Sequence, residues 1–180
     1  IDEISTRMLQ ITMLQEEIRQ YGSNTSRDIH FLGQEINRFR NNIVSSNNVQ
    51  LSSISLLQLS KADHILWKWR VYNMFLGLEK LSSNDVSSHK DCRLGKWYAS
   101  AKTIARFGHL PAFKQLDSHH EQVHLQARYA VEAFNSGQIE KAESHLKQIE
   151  QASNKVLNYI HELIIYIEKE RKSLLISGKA

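Results

Sequence analysis

Along residues 1–43 apolar side chains return every seven residues in one phase. Ile1, Met8, Ile29, Ile36 and Ile43 share one register position, and Ile4, Ile11, Ile18, Leu32 and Phe39 share the other. The register lapses to Gln15, Gly22 and Thr25 and resumes without a shift. Such a stripe predicts a helix of roughly 60 Å that packs along a seam against partner helices. It cannot bury that seam alone, so it implies a dimer or one leg of an antiparallel bundle. A plainer reading lays a single amphipathic helix on the domain that follows.

The period then changes. V-S-S-N-N-V-Q, residues 44–50, is a polar joint, because Ser and Asn compete for backbone hydrogen bonds. Over 51–81 apolar residues recur at helical spacing, among them Ile54, Leu57, Ile65, Val71, Phe75 and Leu78. S-S-N-D-V-S-S-H-K-D reads as a loop, and Cys92 to Ser100 as a short helix in which Gly95 lets Trp97 pack close. Pro111 suits the first turn of a helix running to about Asn135, and Gly137 the residue after its end. A last helix, Ile139 to about Leu174, aligns Ala142, Leu146, Ile149, Val156, Ile160, Leu163 and Ile167 on one face. The pattern predicts an all-α protein: a four-helix bundle with a short extra helix carrying the cysteine, preceded by a long coiled-coil-like helix. On this reading residues 1–50 are the coiled-coil-like helical segment, 51–175 the bundle and 176–180 a disordered tail.

Composition narrows the class. One proline and seven glycines favour long helices over turn-dense β structure. With 41% hydrophobic and 23% charged residues the chain is neither disordered nor a membrane protein, and no apolar run nears the ~18 residues of a span. The net charge of +4 comes from interspersed signs, which argues against nucleic acid. A lone cysteine excludes an intramolecular disulfide and fits a reducing cytoplasm. No signal peptide is visible, and a start at Ile1 reads as a fragment of a longer protein.

The candidate chemistry lies in the middle. His120 and His124 stand one helical turn apart on a shared face and can chelate one ion, whereas the positions three and four beyond His119 are Gln122 and Val123. Folding would have to bring in His64 and Cys92; three imidazoles and one thiolate make a tetrahedral set suited to zinc. His89 could form a local pair with Cys92 but is not counted among the ligands. His109 reads as a loop residue, and His30, His145 and His161 as helix residues away from the set. Trp67, Trp69, Trp97 and Tyr98 read as core packing. H-E-Q-V-H, residues 120–124, also satisfies the metalloprotease string with Glu121 as base. A four-ligand shell leaves no open position for such catalysis, so the chain is read as a non-enzyme.

Four pieces, A-D-H-I-L-W-K-W-R-V-Y, C-R-L-G-K-W-Y, F-G-H-L-P-A-F and L-D-S-H-H-E-Q-V-H, resemble in order and composition the chemoreceptor zinc-binding domain. The likeness runs from about residue 55 to 165. It implies a small helical bundle, usually dimeric, that binds one zinc ion per subunit through His64, Cys92, His120 and His124, with Trp67, Gly95 and Trp97 structural beside the site. Residues 1–43 resemble the end of the cytoplasmic signalling hairpin of a methyl-accepting chemotaxis receptor. The implied function is a bacterial cytoplasmic sensor of zinc, or of oxidants such as hypochlorous acid acting at Cys92. Its output would run through the N-terminal helix to the chemotaxis kinase complex, without membrane insertion by this segment. The alternative is a structural zinc module for dimerisation or localisation.

Overall fold

The computed structural model describes residues 52–176 without a break, and upstream of them 3–9, 11–13, 15, 16, 19, 22, 23, 29, 33 and 36; side chains are described as far as Ser173. All the described upstream positions are helical. The joint at 44–50 and the tail from 177 lie outside the described residues.

Helix α1 spans Ser53–Phe75 and is opened by Ser52, whose hydroxyl accepts the Ser55 N–H at 3.2 Å. It ends six residues short of the sequence expectation. Gly77, with φ 72°, turns the chain, and Leu78 N–H reaches back to the Asn73 carbonyl at 2.8 Å. Leu76 and Leu78 continue the apolar pattern but are exposed beyond that stop. A short 3₁₀ turn follows at Ser83–Asp85.

Helix α2 is Arg93–Tyr98, and its N-cap is Cys92 itself. Helix α3, Ala101–Phe107, is capped by Ser100, which accepts the Thr103 N–H at 3.2 Å. The periodicity did not disclose α3: seven residues are too few to display a 3.6-residue repeat. Helix α4 runs Pro111–Asn135 with proline in its first turn, as expected. Gly137 (φ 73°) and the Gln138 N–H to Ala133 carbonyl bond of 2.9 Å close it. The chain then reverses into α5, Ile139–Ile176, of 38 residues.

The fold is thus all-α, with α4 and α5 an antiparallel hairpin against which α1 and the short helices pack. Two apolar clusters fill it. One joins Leu57, Trp97, Phe107, Phe113, Leu116 and Leu163; the other joins Val71, Met74, Val86, Ala130, Val131 and Ile149. The two clusters meet α1 on either side of His64 and α4 on either side of His124. Upstream, Gly33 is buried against α1, where a Cβ would meet Leu66 Cδ1 at 2.8 Å. Of the heptad seam, Ile4, Met8 and Ile11 are 68, 65 and 54% exposed, a stripe without cover. Ile29 is half-buried, and the side chains of Ile1, Ile18, Leu32, Phe39 and Ile43 lie outside the described residues. Among the described residues no helix is long and apolar enough to cross a membrane.

Candidate metal centre

Helical spacing puts His120 and His124 on one face of α4, and their ring centroids are 4.9 Å apart. α1 crosses opposite them and supplies His64, 5.0 Å from the His120 ring and 5.9 Å from that of His124. One ligand nitrogen from each of these three histidines can be chosen so that all lie within 4.8 Å of one another. Cys92 approaches from the N-terminus of α2, its Sγ 3.2 Å from His120 Nε2, which is also 3.2 Å from His124 Nε2. All four residues named from the sequence therefore converge: His64, His120 and His124 as a mutual group, and Cys92 against its central member.

Backbone carbonyls orient two of the rings. His64 Nδ1–H donates to the Ser60 carbonyl at 2.7 Å and His124 Nδ1–H to the Ser87 carbonyl at 2.8 Å. A carbonyl can only accept, so both rings carry their proton on Nδ1 and turn a bare Nε2 inward. The His64 Nε2 is buried without any hydrogen-bond partner. An unsatisfied imidazole nitrogen in an apolar interior costs roughly 1–3 kcal/mol. A cation with nitrogen and sulfur affinity removes that cost, so these residues fit zinc.

Burial keeps the imidazoles neutral, the form that ligates. It lowers His64, and, with the charges of His64, His124 and His89, pushes His120 down to about 2. His124 falls to about 4, mainly through burial and then through His64. Burial raises the Cys92 thiol, while the N–H groups of Gly95 and Leu94 at the start of α2 act the other way.

The loop between α1 and α2 is pinned to α4 at three further points. Arg128 Nη2 donates to the Val86 carbonyl at 3.1 Å, Asn135 Nδ2 to the Leu81 carbonyl at 2.8 Å, and Val86 is buried in the second cluster. Beside this cluster, Arg93 Nε meets Asp63 Oδ2 at 3.2 Å, tying the residue after Cys92 to the residue before His64. Sequence reasoning missed that pair; its adjacency to Cys92 and His64 was the available clue. Gly95 serves a different neighbour from the one expected: a Cβ there would overlap the His89 carbonyl oxygen. Trp97 is buried between Phe107 at 5.7 Å and Phe113 at 6.0 Å, and Tyr98 stacks on Phe113 at 4.3 Å. Trp67 packs on the second cluster with Arg70 over its ring at 4.6 Å.

His109, His145 and His161 stand apart from the group. His109 lies in the turn after α3 near Tyr166, His145 Nδ1 bonds Gln126 Oε1 at 2.7 Å, and His161 is exposed. His30 is outside the described residues. Glu121 points to solvent. No curated protein and no solved structure matches the chain. Residues 64–131, the stretch that holds the three histidines and Cys92, match the family model of the chemoreceptor zinc-binding domain.

Proposed function

We propose that the chain is a sensory and regulatory domain of a cytoplasmic bacterial chemoreceptor that holds one zinc ion per subunit through His64, Cys92, His120 and His124. The observation that carries this reading is the buried, unpartnered Nε2 of His64, on a ring that stands 5.0 Å from that of His120 and 5.9 Å from that of His124. When bound, the ion keeps the Cys92 sulfur as thiolate, the form that oxidants attack. Hypochlorous acid transfers oxygen to that sulfur and leaves chloride, giving a sulfenate that ligates more weakly. Cys92 is at once a ligand and the cap of α2, so its loss loosens α2 and the Arg93–Asp63 link to α1. The exposed Ile4, Met8 and Ile11 stripe supports a homodimer whose paired N-terminal helices carry the change to the chemotaxis kinase complex.

The second reading, a zinc-stabilised dimerisation or localisation module without switching, shares the same ligands. The tests are zinc content and oligomeric state of the purified chain, then zinc titration and receptor output of Cys92→Ser. One zinc per chain, a dimer, and weakened binding with altered output support the sensor. Unaltered affinity and output leave the structural module. A metalloprotease reading is disfavoured by the exposed Glu121 and by the two further ligands from α1 and α2.

A further inference from the structure

His89 sits on the pinned loop three residues before Cys92, and its half-buried ring meets that of His120 edge to face at 5.8 Å. Ring separations within the histidine group run from 4.9 to 5.9 Å, so His89 is as near to His120 as His64 is to His124. Its main chain is fixed to the cysteine segment: the His89 carbonyl accepts from Cys92 Sγ at 3.4 Å and lies against Gly95. The Asp91 N–H to Ser88 carbonyl bond of 3.0 Å closes the turn around it. The ring itself is placed by two side-chain torsions, which can change while that backbone stays put. His89 is not part of the group whose nitrogens lie within 4.8 Å, so in this arrangement it waits beside the cluster.

We propose that His89 is a reserve ligand: when the Cys92 sulfur is withdrawn, the His89 imidazole takes the fourth place, and the ion passes from three nitrogens and a sulfur to four nitrogens. A neutral imidazole is as good a geometric partner for zinc as a thiolate, but it leaves the shell one negative charge poorer. Loss of the sulfur therefore weakens binding and reshapes the α1–α2 loop without emptying the site. The inference rests on the zinc reading above.

The test is cobalt(II) titration of wild type, Cys92→Ala, His89→Ala and the double variant, with circular dichroism to confirm the helical fold. Wild type is expected to show tetrahedral visible bands and a sulfur-to-metal charge-transfer band. Cys92→Ala loses the charge-transfer band, keeps tetrahedral bands and binds more weakly. Removing His89 from Cys92→Ala abolishes the tetrahedral bands and costs at least about tenfold more affinity than removing it from wild type. An equal cost in both backgrounds, or a folded Cys92→Ala that binds no cobalt, overturns the reserve ligand. Cys92→Ser replaces Cys92→Ala if the latter fails to fold. Absence of cobalt from wild type overturns the zinc reading instead.

Discussion

His120 Nε2 and Cys92 Sγ stand 3.2 Å apart although 28 residues separate them in the chain. That contact joins the long α4–α5 hairpin to the six-residue α2. A helix that short is held by its surroundings rather than by its own hydrogen bonds. Chelating the metal should therefore raise amide hydrogen exchange over residues 87–98 and leave α4 and α5 protected. Uniform deprotection of all the helices would show that the site supports the whole bundle rather than this segment.

His120 is the member in contact with both neighbours. His120→Ala removes a proposed ligand from a position that is 1% exposed. Zinc affinity is expected to fall by more than about a hundredfold, because one ligand's share of the ~10–16 kcal/mol of a structural zinc site goes with it. The variant should stay helical by circular dichroism. Tight stoichiometric zinc in His120→Ala would remove this residue from the shell.

Gly95 and Gly137 test two different reasons for glycine. At Gly95 a Cβ runs into the His89 carbonyl, so Gly95→Ala forces a backbone shift beside Cys92, at about 1–3 kcal/mol. At Gly137 nothing lies within 4 Å, and alanine suffers only the left-handed φ of 73°, about 1–2 kcal/mol. Both variants should melt a few degrees lower, given ~2–4 °C per kcal/mol for a chain of this size. Zinc affinity should drop in Gly95→Ala alone. Equal zinc titrations for the two would break the proposed link between the His89 turn and the site.

Much of this was legible in the chain, and the reasons differ by feature. Pro111 and Gly137 mark the ends of α4 because each acts through its own backbone, with no help from tertiary contacts. The His120–His124 pair follows from helical periodicity alone. The end of α1 was misjudged because Leu76 and Leu78 prolong the apolar rhythm past Gly77, whose positive φ overrides it. The clasp between Asp63 and Arg93 and the carbonyl anchors on His64 and His124 are tertiary. Nothing in the local text marks which carbonyl a ring nitrogen will meet.

Acid should destabilise the metal-free protein. Burial lowers the folded values of His64, of His124 to about 4 and of His120 to about 2, against an ordinary 6.5 in the unfolded chain. These bases bind fewer protons folded than unfolded, so stability rises with pH and is complete only above about 6.5. It declines as pH falls through 6.5 toward 4 and below. After chelation, the melting temperature should drop steadily from pH 7 to pH 5. A flat profile over that interval would mean that the three rings are solvated in the metal-free state.

The ion pair between Asp63 and Arg93 offers a test of how the two ligand segments are registered. The side chains are 31 and 18% exposed, and Arg93 Nη1 is buried without a partner. Asp63→Asn leaves size and helix intact but withdraws the negative charge that holds the guanidinium against α1. The residue after Cys92 is then free to move away from the residue before His64. Zinc affinity should fall by about tenfold, the usual scale for a group that orients a ligand without touching the metal. Raising the salt concentration should weaken wild-type binding slightly and leave Asp63→Asn unmoved, because a partly buried pair is only partly screened. If Asp63→Asn binds zinc like wild type at low salt, the position of Cys92 is set by α2 capping and the His89 turn alone.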